Sequence, residues 1–152
     1  MSPFKFIVVF SMFAMLVGCQ EKVNYTYLME HPAFLKDEVM RCESSGGKVS
    51  SDAPSCDLVM RAANDFTNLI NEQQEDPEKF GQRILDAEST YVKAKINLKE
   101  EKKSLSLLKD KKGESAEQKI AQEKLEKAEK DYQEKRTDVK ILLAVVSLNS
   151  PE

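Results

Sequence analysis

Three thiols and one imidazole are the groups in this sequence best suited to covalent or metal chemistry: Cys19, Cys42, Cys56 and His31. A thiol can carry a covalent group, close a disulfide or ligate a metal. A tetrahedral zinc site built on Cys42 and Cys56 would need further Cys or His ligands, and the sequence places none beside them. His31 stands directly before Pro32, a position that reads as the start of a helix, and it has no sequence partner for a catalytic or ligand role. No Ser/His/Asp or Cys/His set, carboxylate pair in a plausible cleft or glycine-rich phosphate loop is recognisable. The chain is therefore expected to act by binding, with no catalytic residue, metal, cofactor or small-molecule substrate.

The setting of each thiol decides among these fates. Ahead of Cys19 lie one cation, Lys5, a twelve-residue apolar run from Phe6 to Val17, and the small residue Gly18. A charged start, a short apolar core and a small residue at the end form the layout of a secretory signal peptide over residues 1–18. The run falls short of the ~20 residues that a membrane-spanning helix needs. Leu16-Val17-Gly18-Cys19 also resembles the bacterial lipobox, the motif read by prolipoprotein transferase and the lipoprotein signal peptidase. That resemblance implies cleavage between Gly18 and Cys19 and a mature chain that begins at an acylated Cys19. Several fatty chains, at ~0.8 kcal/mol per buried methylene, would make the membrane anchoring effectively permanent. Gln20 stands where an Asp would resemble an inner-membrane retention signal, which implies the outer membrane, on its periplasmic or surface face. The competing reading leaves Cys19 as a buried residue of an uncleaved apolar helix.

With Cys19 assigned to lipid, Cys42 and Cys56 remain in a chain expected to reach an oxidising compartment. The segment between them is rich in Ser, Gly, Asp and Pro and cannot stiffen itself. A disulfide closing a loop of about fifteen residues would stabilise by roughly 3 kcal/mol on the chain-entropy model. Beyond residue 18 the chain has 134 residues, a size for one domain or a small domain with an extension. Charged residues make up 32% and aromatics 7%, so much of it must be solvated helix rather than thick core. Residues 20–76 carry five Lys/Arg against eleven Asp/Glu, and residues 77–147 carry seventeen against fourteen. With an overall net charge of −3, no nucleic-acid partner is expected.

The elements that must position these groups are helical. Residues 19–31 read as a lipid-anchored tether, with Tyr25 and Tyr27 suited to a small core or a membrane interface. After Pro32, Leu35, Val39 and Cys42 fall at helical spacing, and Gly46-Gly47 ends the run. A second helix starts near Ser55-Cys56, with Val59, Ala62, Phe66, Leu69 and Ile70 on one face. Residues 32–76 thus form a disulfide-bridged two-helix module, too thin to be stable alone. Asp76-Pro77-Glu78 marks the next start. A seam then runs through Phe80, Ile84, Ala87, Tyr91, Ala94, Leu98, Leu105 and Leu108, and resumes through Ala121, Leu125, Ala128, Tyr132, Val139, Leu142 and Val146. Glu101 and Lys135 interrupt it and are expected to turn toward solvent. Gly113 and the capping box from Ser115 to Gln118 separate the two halves.

Residues 77–148 are accordingly expected to form an antiparallel coiled-coil hairpin, with Leu105 opposite Ala121, Leu98 near Ala128 and Ile84 near Leu142. Exposed pairs Glu123–Lys127, Glu126–Lys130 and Asp131–Lys135 would each add a few tenths of a kcal/mol. The apolar stretch 139–148 is expected to pack on the helix holding Phe66, Leu69 and Ile70, making a three-helix base, with Ile141, Leu143 and Val145 off the seam. A strand there would find no edge, and a solvated single helix or partial disorder is the competing reading for the charged stretch. The fold class is all-α: a small bridged helical hairpin followed by a long antiparallel one.

The lipobox, Tyr25 and Tyr27, Glu30-His31-Pro32, and the cysteines Cys42 and Cys56 together resemble the EexN family over residues 16–65. These are small bacterial lipoproteins assigned to entry exclusion in conjugative transfer. The resemblance implies a lipid-anchored binding protein with a protein partner in the cell envelope and no active site. Two departures stand out: family members usually carry Trp where this chain has Tyr, and they end near where the long hairpin begins here. The alternative expectation is an accessory subunit of an envelope-spanning secretion complex, such as a type IV system, docking through its hairpin.

Overall fold

The computed structural model describes residues 23–44, 53–109 and 116–149. Among them are five helices and no strand: α1 Tyr25–Glu30, α2 Pro32–Ser44, α3 Cys56–Glu75, α4 Pro77–Lys109 and α5 Ala116–Asn149. The signal segment, Gly18, Cys19, Gly46-Gly47, Gly113 and Ser115 lie outside the described residues.

Short polar side chains set the helix starts. Asn24 Oδ1 accepts the Tyr27 amide at 2.9 Å, Ser55 Oγ accepts that of Leu58 at 3.3 Å, and Asp76 Oδ1 accepts that of Lys79 at 3.0 Å. Each satisfies a first-turn donor that has no partner within its helix. Pro32 separates α1 from α2, because it has no N–H to extend the preceding ladder. His31 serves both sides of the break: its amide donates to the Leu28 carbonyl at 3.3 Å and its carbonyl accepts the Leu35 amide at 2.9 Å.

The stretch expected as a tether is ordered into helix from Tyr25. Leu28 is 0% exposed and Met29 is buried, so α1 belongs to the core. Its adjacent Leu28-Met29 pair fills space between α3 and α5, while Glu30 accepts from Lys140 at 2.7 Å and from Thr137 at 3.2 Å on α5. The base is therefore larger than three helices. One cluster unites Leu28 and Met29 of α1, Leu35 and Cys42 of α2, Val59, Ala62 and Phe66 of α3, Phe80 of α4, and Leu142 and Val145 of α5. Val145, expected off the seam, is 0% exposed because this end of α5 is covered on more than one face; Leu143 remains largely exposed.

Cys42 and Cys56 form the expected disulfide, with Cα atoms 5.6 Å apart. It joins the end of α2 to the start of α3 and makes them a bridged helical hairpin. Arg41 closes the same joint a second time. Its Nη2 donates to the Pro54 carbonyl at 3.0 Å, and its Nε donates to Glu38 at 2.7 Å.

Helices α4 and α5 run antiparallel. Three contacts fix this: the Tyr91 and Tyr132 hydroxyls lie 3.4 Å apart, Lys102 pairs with Glu129 at 3.3 Å, and Gln118 Nε2 donates to the Leu108 carbonyl at 2.8 Å. Numbers rise on one helix as they fall on the other, which sets Leu105 level with Ala121 and Leu98 with Ala128. Ala94, Leu105, Ala121 and Ala128 are buried along this part of the pair, beyond the base cluster. The expected pairs Glu123–Lys127, Glu126–Lys130 and Asp131–Lys135 are not among the ion pairs of the described residues. Lys135 is instead half-buried, 4.0 Å from Asp138. Exposed pairs of this kind gain too little to hold two solvated side chains together.

Candidate functional site

Helices α3 and α4 meet at Asp76 and turn back along one another, with Arg83 of α4 ion-paired to Glu72 of α3 near the joint. They enclose, with α1 and α5, a cleft of about 710 Å³. Its floor is apolar: Met29 from α1, Leu69 from α3, Ala87 from α4, and Ile141 and Leu142 from α5. The rim is acidic. Asp65 and Glu72 line it from α3, Asp86 from α4 and Asp138 from α5, with Arg83 as the one cation of the lining. Glu72 engages Arg83 and Asp138 lies 4.0 Å from Lys135, so the negative charge left over the hydrophobic base comes chiefly from Asp65 and Asp86.

Tyr25 holds one corner. Its hydroxyl donates to Asp65 Oδ2 at 2.6 Å, and the Arg61 guanidinium lies 5.2 Å over its ring. Burial, followed by the hydrogen bond and the negative charge of Asp65, pushes the Tyr25 phenol up to about 12, against the opposing charge of Arg61. The phenol is therefore a fixed neutral donor at ordinary pH. On the far rim Gln82 donates to Asp86 at 3.0 Å. These groups can hold cations and hydrogen-bond donors; no nucleophile stands beside a base in the lining.

Of the residues singled out by sequence, Cys42 and Cys56 are brought together, while Gly18 and Cys19 lie outside the described residues. His31 is exposed. Its ring stacks on Tyr27 at 4.0 Å, and Nδ1–H donates to the Tyr27 carbonyl at 2.8 Å, so it stiffens the α1–α2 joint. A second recess, of about 610 Å³, adjoins it between α1 and the Arg136–Lys140 turn of α5. Its one carboxylate, Glu30, is occupied by Lys140 and Thr137. Among the described residues no group of three or more His, Cys, Asp or Glu could hold a metal ion, and no helix is long and apolar enough to cross a membrane.

The acidic cleft has no signature in local sequence, because its carboxylates come from three helices. Asp65 and Glu72, seven residues apart, do share a face of α3, and that spacing is the only local hint. No protein-family model, curated protein or solved structure matches the chain.

Proposed function

We propose that this is a lipid-anchored protein of the bacterial cell envelope that acts by binding a protein partner, with entry exclusion or a related role in conjugation as its task. The observation that carries the reading is the Cys42–Cys56 disulfide, set at the edge of the core in a chain that opens with the Leu16–Cys19 pattern. Disulfides persist in oxidising compartments, which agrees with export. An acidic cleft with an apolar floor agrees with binding rather than catalysis. The resemblance over residues 16–65 supplies the link to conjugation.

A second reading, an accessory subunit of a secretion complex that docks through its hairpin, is favoured by one feature. Beyond the base cluster, the buried side chains of α4 and α5 are few and mostly small, so that part of the pair contributes reach more than core. Radiolabelled palmitate should enter the wild-type chain and not Cys19→Ser, which should stay an uncleaved precursor. Normal processing of the variant would remove the lipid anchor. Recipient cells expressing the chain should take up a conjugative plasmid less often, with donor transfer unaffected. Unchanged uptake, together with co-purification on secretion subunits, would favour the second reading.

A further inference from the structure

Helix α4 has a second apolar row besides its seam. Leu85, Val92, Ile96 and Leu107 are each at least half exposed, at 59%, 50%, 53% and 60%. At 3.6 residues per turn they fall within about 60° of arc, roughly opposite the seam positions Ala94, Leu98 and Leu105. The row is set in positive charge. Between Val92 and Lys103 lie five lysines against two glutamates, and Lys93, Lys95, Lys99 and Lys103 make no ion pair with another described residue.

Among the described residues, two surfaces of opposite character are left uncovered: an acidic cleft with an apolar floor, and a basic helix face with an apolar ridge. The cleft walls Asp65 to Glu72 and Arg83 to Thr90 each run about 10 Å at 1.5 Å per residue, as does the stretch from Val92 to Lys99. On α4 itself the ridge points well away from the cleft wall, so one copy cannot fill its own site. We infer that the cleft takes the Val92–Lys99 face of a second copy. Val92 and Ile96 lie on Leu69, Ala87 and Ile141, and Lys95 and Lys99 reach Asp86 and Asp138. The two surfaces differ, so the contact is heterologous and each added copy leaves one ridge and one cleft open. This rests on reading the cleft as a binding surface, not on acylation of Cys19.

Photocrosslinking of the full chain purified in detergent tests it. A donor copy carries p-benzoylphenylalanine in place of Ile96 and is mixed with an isotopically labelled acceptor. Light should give an adduct of twice the monomer mass, with the acceptor peptide mapped to α3 or to the Arg83–Thr90 wall. Asp86→Lys with Asp138→Lys in the acceptor should lower the yield several-fold. Lys95→Glu with Lys99→Glu in the donor should then restore it. Both acceptor carboxylates are exposed, and circular dichroism confirms that the variants are folded. Absence of the adduct, an acceptor site elsewhere, or failure of the charge exchange to restore it overturns the inference. None of those results touches palmitate incorporation or plasmid uptake, which test the proposed function separately.

Discussion

Removing the disulfide should release α2 and leave the long helix pair in place. The side chains that α2 buries in the core are Leu35 and Cys42. Full burial of a leucine stabilises by roughly 1.5–3 kcal/mol. The bridge, with a sequence separation of 14, contributes about 3 kcal/mol on the chain-entropy model, so it matches what the helix's own packing supplies. Cys42→Ala with Cys56→Ala should therefore raise the exchange of α2 amides about 100-fold, since each 1.36 kcal/mol is a factor of ten. Amides of α4 and α5 near Leu105 and Ala121 should change little, because those residues lie outside the shared cluster. Hydrogen exchange read by mass spectrometry separates the two regions. An acceleration of α2 below about threefold would mean that Arg41 and Leu35 hold the joint unaided, and the entropic reasoning would fail. Equal acceleration in α2 and the helix pair would mean that the molecule unfolds as one unit.

Other substitutions probe the rest of the fold. Leu28→Ala should cost about 2–5 kcal/mol in urea denaturation, as for a closed core site; a cost under 0.5 kcal/mol would return α1 to the status of a tether. Leu105→Asp places an unpaired charge against Ala121 and should cost several kcal/mol, read as lost helicity by circular dichroism. Tyr25 should ionise near 12 in an ultraviolet titration, and Tyr25→Phe should remove that step. Its folded value lies above the unfolded one near 10, so the fold favours the neutral phenol. That contribution is complete below pH 10 and is lost as the pH rises toward 12. Loss of the stability difference between wild type and Tyr25→Phe already at pH 8 would contradict it.

Where periodicity and caps coincide, the helices follow from the residues themselves. Ser55 and Asp76 cap as their types require, and the spacing of Leu98, Leu105, Ala121 and Ala128 sets the register of α4 on α5. Two features escaped local reading. Helix α1 has six residues, too few for a period, and its Leu28-Met29 pair acquires meaning only between α3 and α5. Val145 was off a single seam, yet the end of α5 is covered by several helices at once. The acidic cleft was illegible for a related reason: Asp65, Asp86 and Asp138 each look like an ordinary charge on a solvated face until three helices bring them to one rim. The row of Leu85, Val92 and Ile96 keeps a helical seven-and-four spacing, but only the packing of α4 on α5 shows that it is the row left exposed.

Past Tyr91 and Tyr132, the buried side chains Ala94, Leu105, Ala121 and Ala128 stand apart from the base cluster. That stretch is built like an extending ladder. Excising seven residues from each helix, with the cuts placed level with one another, keeps the stripes aligned and shortens the reach by about 10 Å. Adding seven lengthens it by the same step. Evolution or an engineer can thus adjust how far the molecule spans without disturbing the disulfide, the core or the cleft, and chains differing only in such increments would share one base carried on arms of graded length.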